Sequence, residues 1–198
     1  MFKALGKQLR KPSGFFGRIV SKMMDIRNRE FYEKVIIELD IQSGDKIYEI
    51  GYGPGLGIQL IANLGKDCTL SGIDYSELMY SKATKRNKKF INDGIVNLRY
   101  GDLLTADIDN ERYDKIFCLN VIYFWNDLSK VFDKIYSMLN DGGMFCIFMT
   151  HKEEIETQKF TKEFCKYSIE QVESELKKAG FKSVEYKLEK GYYIKSIK

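Results

Sequence analysis

The sequence predicts an α/β protein: a doubly wound, mostly parallel sheet of seven strands, closed by an antiparallel C-terminal strand. Three observations carry this reading. Short apolar runs alternate with stretches of helical period along most of the chain; that alternation means parallel strands joined by right-handed crossovers. A cluster of closely spaced glycines, Gly51 to Gly57, follows the first apolar run. The last two runs, 183–188 and 192–197, are separated only by a short turn containing Gly191, which makes them an antiparallel pair.

The elements follow in order. Phe31, Val35, Ile36 and Leu39 recur at helical spacing between Arg27 and Asp40. Ser43-Gly44-Asp45 turns the chain into a first strand, Lys46 to Ile50. Ile58, Leu60, Ile61 and Leu64 mark a helix that Gly65 ends. The second strand runs from Thr69 and stops at Asp74; Ser76 is then placed to cap a helix carrying Met79, Ala83 and Phe90. Ile95 to Tyr100 and Lys115 to Leu119 are the third and fourth strands. Asp127 caps a helix lined by Leu128, Val131, Phe132, Ile135, Met138 and Leu139, and Asn140-Asp141-Gly142-Gly143 ends it. Met144 to Met149 is almost wholly apolar, as in a strand covered on both faces. Ser168 and Gln171 form a capping box for a last helix that closes at Gly180.

The 198 residues suffice for one domain with a sizeable core. Basic residues number 32 and acidic residues 28, and the resulting +4 is too mild to require a nucleic-acid partner. No apolar run reaches the ~18 residues of a membrane span. Cys68, Cys118, Cys146 and Cys165 form no C-x-x-C pair and read as small hydrophobes in a reducing, cytoplasmic setting. With His151 the single histidine, no zinc site is expected.

Residues 1–26 stand apart from the domain expected over 27–198. Lys3, Lys7, Arg10, Lys11, Arg18 and Lys22 are interleaved with Phe2, Leu5, Leu9, Phe15, Phe16, Ile19 and Val20, and no acid occurs before position 25. Ser13-Gly14 and Gly17 should divide this arm into two short helical pieces. The arm is expected to fold over the site as a lid; a membrane-surface helix or a transit peptide is the competing reading.

The glycine cluster narrows the ligand. In an open α/β sheet, ligands bind beyond the carboxyl ends of the strands, where this loop falls. A phosphate loop would end in Gly-Lys-Ser/Thr, but the cluster ends Gly57-Ile58-Gln59. A dinucleotide loop, G-x-G-x-x-G, would put its third glycine at Leu56 or Ile58. What remains is G-x-G-x-G with Glu49 two positions ahead, which suits a ligand with an ammonium and no phosphate.

In these features the sequence resembles the S-adenosylmethionine-dependent methyltransferases of the large Rossmann-like class, over roughly residues 30–198. Glu49 to Gly57 is similar to that family's first motif, Asp74 to its second acidic position, and Gly101-Asp102 to its adenine-binding acid. Leu119-Asn120 falls at its fourth motif, and Leu139 to Gly143 resembles its recurrent turn before strand five. The resemblance implies S-adenosyl-L-methionine as cofactor and S-adenosyl-L-homocysteine as its product. It implies binding by Glu49, Gly51, Gly53, Gly55, Asp74, Tyr75, Met79, Gly101, Asp102, Leu103 and Asn120. Asp74 would accept both ribose hydroxyls, Asp102 the adenine amino group, Tyr75 and Met79 would flank the ring, and Glu49 would lie near the methionyl ammonium. The finer likeness is to the small-molecule branch that includes quinone-biosynthesis methyltransferases. At a strand end, Asp74 should be replaceable with little effect on folding.

Methyl transfer from a sulfonium rests on orientation, and a base is needed only where the acceptor must lose a proton. Tyr123 and His151 are the candidates for such a base. The only prolines, Pro12 and Pro54, allow neither a Pro-Pro nor a Pro-Cys motif of nucleic-acid methylation. Asn120-Val121-Ile122-Tyr123-Phe124-Trp125 is aromatic and suits a small apolar or aromatic acceptor. An RNA or protein methyltransferase, or a non-catalytic module that binds the same cofactor, are the alternatives.

Overall fold

The computed structural model describes residues 2–108 and 110–198; Met1 and the side chains of Phe2, Lys3 and Ala4, in the expected arm, lie outside the described residues. The apolar runs form seven strands: β1 Lys46–Ile50, β2 Thr69–Asp74, β3 Val96–Tyr100, β4 Tyr113–Leu119, β5 Leu139–Met149, β6 Ser183–Leu188 and β7 Tyr192–Ile197. They make one sheet of order β3-β2-β1-β4-β5-β7-β6. β1 to β5 pair in parallel, and β7 lies antiparallel between β5 and β6. Successive strands add outward from β1 on one side and then on the other. The switch falls between β1 and β4, the place where open sheets bind ligands. Ile50 pairs with both Ile73 and Cys118, so three strand ends meet there at one level.

Eight helices accompany the sheet among the described residues: α1 Phe2–Arg10, α2 Gly14–Leu39, α3 Leu56–Ala62, α4 Glu77–Arg86, α5 Lys88–Asn92, α6 Leu128–Met138, α7 Lys152–Thr157 and α8 Ile169–Lys178. Side chains alternate across a strand, and the sheet uses both faces. Val35, Leu39, Ile58 and Ile61 of α2 and α3 bury against Phe117 and Phe148 on one face. Phe132, Ile135, Val172 and Leu176 of α6 and α8 bury against Ile116 and Phe145 on the other.

The structure departs from the sequence expectations in four places. α2 is one helix from Gly14 to Leu39, so it runs through position 26, where the arm was expected to end. The break at Ser13 is present; the one at Gly17 is not. A Cβ at Gly17 would come within 2.9 Å of Leu78 and Pro12, so this glycine serves close packing inside the helix. The helix expected from Ser76 past Phe90 divides at Asn87. The buried Asn87 amide donates to Gly55 O at 3.1 Å and to Ala83 O at 3.0 Å, tying the end of α4 to the glycine loop. β5 begins at Leu139, which pairs with Tyr113 before an irregular step brings Met144 opposite Lys115. Finally, α7 and a 3-10 turn at Lys159–Thr161 fill the stretch between β5 and α8.

Candidate active site

The site begins with the backbone of the glycine loop. Gly51 and Gly53 sit at φ 72° and 53°, in the left-handed region that side chains resist. A Cβ on Gly51 would lie 2.5 Å from Val121. The loop is fixed to the end of β2: Gly51 N–H donates to Ile73 O at 2.8 Å, and Gly53 N–H to Asp74 Oδ2 at 2.8 Å. Asp74 Oδ1 accepts from Ser76 N–H at 2.8 Å. Burial pushes the Asp74 carboxyl up to about 6, and these two N–H groups pull against that rise.

Ser76 continues the chain of contacts. Its hydroxyl caps α4 by accepting from Met79 N–H at 3.3 Å, and donates to Pro12 O at 2.6 Å. At β3, Asp102 Oδ1 accepts from Leu104 N–H at 2.9 Å. At β4, Asn120 adopts φ 56°, which asparagine tolerates better than most residues. Its Oδ1 accepts from Tyr123 Oη at 3.1 Å and Thr150 Oγ1 at 3.2 Å.

These strand ends form the floor of a cavity of about 570 Å³, inside the ~300–1,000 Å³ range of small-molecule sites. Gly51, Gly53, Asp74, Tyr75, Met79, Gly101, Asp102, Leu103, Asn120 and Tyr123 all line it, as the sequence reading grouped them. Phe124, Trp125, Phe160 and Phe164 make an aromatic wall, and Leu5 and Leu9 of α1 join it. The wall packs on itself: Phe164 meets Phe124 edge-on at 4.9 Å and stacks with Tyr123 at 6.3 Å. α1 is held over the site by Arg10, whose guanidinium donates to Phe124 O at 3.3 Å. At Gly6 a Cβ would come within 2.2 Å of Phe160 O, so α1 lies directly on the 3-10 turn.

Three expected residues do not reach the cavity. Glu49 is fully buried on the α2 side of the sheet, accepting from Tyr32 Oη at 2.8 Å. Its Oε2 lacks a hydrogen-bond partner. Burial pushes the Glu49 carboxyl up to about 8; Tyr32 and the nearby Ile58 N–H, which falls outside hydrogen-bonding geometry, only partly oppose this, and Asp74 adds to it. Gly55 serves packing instead of ligand approach, since a Cβ there would meet Asn87 at 2.6 Å and Ala83 at 2.8 Å. His151 stands outside the cavity, its ring 4.9 Å from that of Tyr192. Tyr123 lines the cavity; burial pushes its phenol well up, and its hydroxyl is bonded to the Thr150 backbone, both of which oppose its acting as a base.

The sequence reading missed Tyr32, which lines the cavity and carries Glu49, and the wall residues Phe160 and Phe164. It also missed Asp25, which lines the cavity and pairs with Arg86 of α4 through both carboxylate oxygens. Strand alternation was the available signal for Glu49: Tyr48 and Ile50 belong to the α6 face, Ile47 to the α2 face.

Chemically, the floor offers carboxylate lone pairs and open glycine backbone to a ligand rich in donors. Asp74 and Asp102 each keep acceptor capacity beyond the N–H groups they already hold. That acceptor set fits S-adenosylmethionine, which presents ribose hydroxyls, an amino group and positive charge and carries no phosphate.

Comparison with known proteins agrees with the fold. The chain belongs to the family described as Methyltransferase domain, which matches residues 48–147, and is an S-adenosylmethionine-dependent methyltransferase of Rossmann-like fold. It is 32% identical over 167 residues to the uncharacterized methyltransferase YdaC of Bacillus subtilis (strain 168), covering 84% of this chain and 88% of that protein. It is 26% identical over 120 residues to Sterol 24-C-methyltransferase ERG6 of Saccharomyces cerevisiae; the match takes in 61% of this chain but only 30% of that enzyme. A SAM dependent methyltransferase from Aquifex aeolicus shares the fold, with a TM-score of 0.75 at 20% identity, over 89% of this chain and 96% of that one. The expected likeness to quinone-biosynthesis methyltransferases finds no support in these relatives. Among the described residues, no helix is long and apolar enough to cross a membrane.

Proposed function

We propose that the chain methylates a small apolar or aromatic acceptor held against the aromatic wall, with S-adenosylmethionine seated on the floor. One observation carries this reading: a single cavity joins polar strand ends to a wall made of Phe124, Trp125, Phe160, Phe164, Leu5 and Leu9. The bound cofactor supplies an activated methyl group on sulfur, transferred by in-line displacement.

The chain's own residues hold and orient. Asp74 accepts the ribose hydroxyls on lone pairs left free by Gly53 and Ser76. Asp102 accepts the adenine amino group beside Leu103 and Gly101. Met79 and Tyr75 border the ring; Lys11 already stands 4.1 Å over one face of Tyr75. Gly51 and Gly53 let the backbone come close. The Asn120 Oδ1 is committed to Tyr123 and Thr150, which leaves its backbone carbonyl as the acceptor for the ligand. Glu49 acts at one remove, holding Tyr32 in the cavity wall. Neither Tyr123, bonded to the Thr150 backbone, nor His151, outside the cavity, is placed to take a proton from an acceptor, and the rate comes from alignment and from exclusion of water by α1 and the aromatic wall.

Incubation with methyl-labelled S-adenosylmethionine tests this. Two acceptor panels are offered: apolar and aromatic small molecules, and RNA with protein. Label in the first panel is the expected result. Label confined to the second, or tight cofactor binding with no transfer to either, overturns the reading.

A further inference from the structure

The arm has two faces, and only one belongs to the cavity. α1 turns Leu5 and Leu9 inward, whereas the first half of α2 turns a row of large apolar side chains into solvent. Phe15 is 78% exposed, Phe16 51%, Ile19 44%, Met23 60% and Ile26 83%. Phe15, Ile19, Met23 and Ile26 follow helical spacing and stand one above another. With ~150–250 Å² on each aromatic ring, the row rivals the largest apolar patches that monomers leave in water.

Its flank is basic. Arg18 and Lys22 fall along one border of the row by helical rotation, and both are exposed. The acid nearest the row, Asp25, is turned away into its pair with Arg86. Glu30 and Glu33 come only where the apolar row has ended. An apolar ridge with cations along its edge matches the boundary of an anionic bilayer, where rings enter the headgroup region and the bases meet lipid phosphates. Met23 also lines the cavity, so the ridge adjoins the mouth of the site.

We propose that the Phe15–Ile26 face of α2 docks the protein onto anionic lipid membranes. The inference stands on the exposed face alone and does not depend on the acceptor proposed above.

Sedimentation of the full chain with vesicles tests it. One set contains equal phosphatidylglycerol and phosphatidylcholine, the other phosphatidylcholine alone. The protein should pellet with the anionic set only, and high salt should release part of it. The triple variant Phe15→Ser, Ile19→Ser, Ile26→Ser should partition at least about tenfold less. Arg18→Glu with Lys22→Glu should cost about fivefold per charge removed. The replaced side chains have no core contacts to lose, so circular dichroism and S-adenosylhomocysteine affinity of both variants should match the parent. The proposal is overturned if the parent stays in the supernatant or if the triple variant still pellets. It is equally overturned if sedimentation velocity shows a dimer that the triple variant abolishes, because a second copy would then cover the face.

Discussion

Replacing Asp74 by Asn should weaken S-adenosylhomocysteine binding at pH 8 by about tenfold or more and erase its pH dependence. In the parent, the Asp74 carboxyl is pushed up to about 6 by burial. If the ionised form accepts the ribose hydroxyls, affinity must rise as pH passes through that value. At pH 5 about one molecule in eleven is ionised, so the dissociation constant should be roughly tenfold weaker than at pH 8. Losing hydrogen bonds to ligand hydroxyls adds about 1–3 kcal/mol in the variant. Stability moves in the opposite direction. A carboxyl whose folded value exceeds 3.8 contributes stability at low pH that is lost as pH rises through about 6.

Asn removes that buried charge, worth about 2–3 kcal/mol for a rise of this size, but leaves one of the Gly53 and Ser76 N–H groups without its acceptor, at about 1–3 kcal/mol. The two nearly cancel, which makes Asn the clean probe. Ala orphans both N–H groups and should destabilise the fold, contrary to what a strand-end position suggests. Calorimetric titrations at pH 5, 6, 7 and 8, with urea melts of each protein, measure both effects. A parent whose affinity is flat from pH 5 to 8, or an Asn variant that binds like the parent, refutes the role given to Asp74.

Four further outcomes are expected. Glu49→Gln should raise the melting temperature above that of the parent at pH 9 by about 4 °C or more, because ionising the Glu49 carboxyl costs stability as pH climbs through about 8; equal values at pH 9 refute this. Gly51→Ala, which sets a methyl 2.5 Å from Val121 at a φ of 72°, should cost about 1–3 kcal/mol in a urea melt and abolish cofactor binding. Ser76→Ala removes the α4 cap and the donor to Pro12 O, and should lower stability by about 1–2 kcal/mol while speeding release of S-adenosylhomocysteine. Deleting residues 1–12 should leave the circular dichroism of the sheet intact and raise the cofactor off-rate about tenfold in stopped flow; an unchanged off-rate argues against α1 as a lid.

Much of the fold is legible because its signals are local. β1, β6 and β7 begin and end at the residues where the apolar runs do, and Ser168 with Gln171 caps α8 with both bonds of the box present. What escapes a reading of the chain depends on distant partners. Phe90 keeps the helical period past Asn87, yet the helix divides there because an amide 32 positions away from Gly55 reaches its carbonyl. Asn140 to Gly143 has the composition of a turn, and it does leave the ladder, but Leu139 is already paired with Tyr113. The floor of the site was readable because topology alone sends the ends of β1 to β4 to one place. The wall was not: α7 and the 3-10 turn are too short for a periodic signal, and Glu153, Glu154 and Glu156 hide the single buried anchor, Ile155.

The arm shows how the two parts of the site depend on one another. Ser76 touches Asp74 through its N–H, α4 through its accepting hydroxyl and the arm through its donated bond to Pro12. The Asp74 carboxylate and the Pro12 carbonyl that anchors the arm are therefore both partners of one buried residue. α2 reaches the same place from the other side, because Tyr32 holds Glu49 and Asp25 holds Arg86 of α4. An arm that ended at position 26 would keep Asp25 but lose Tyr32. Because α2 is continuous from Gly14 to Leu39, one helix carries both Tyr32 and Asp25, which contact β1 and α4, and the N-terminal end that follows Pro12. α2 thus places the anchors of the arm and of the floor on one element, and the apolar outer face of its first half belongs to the same helix.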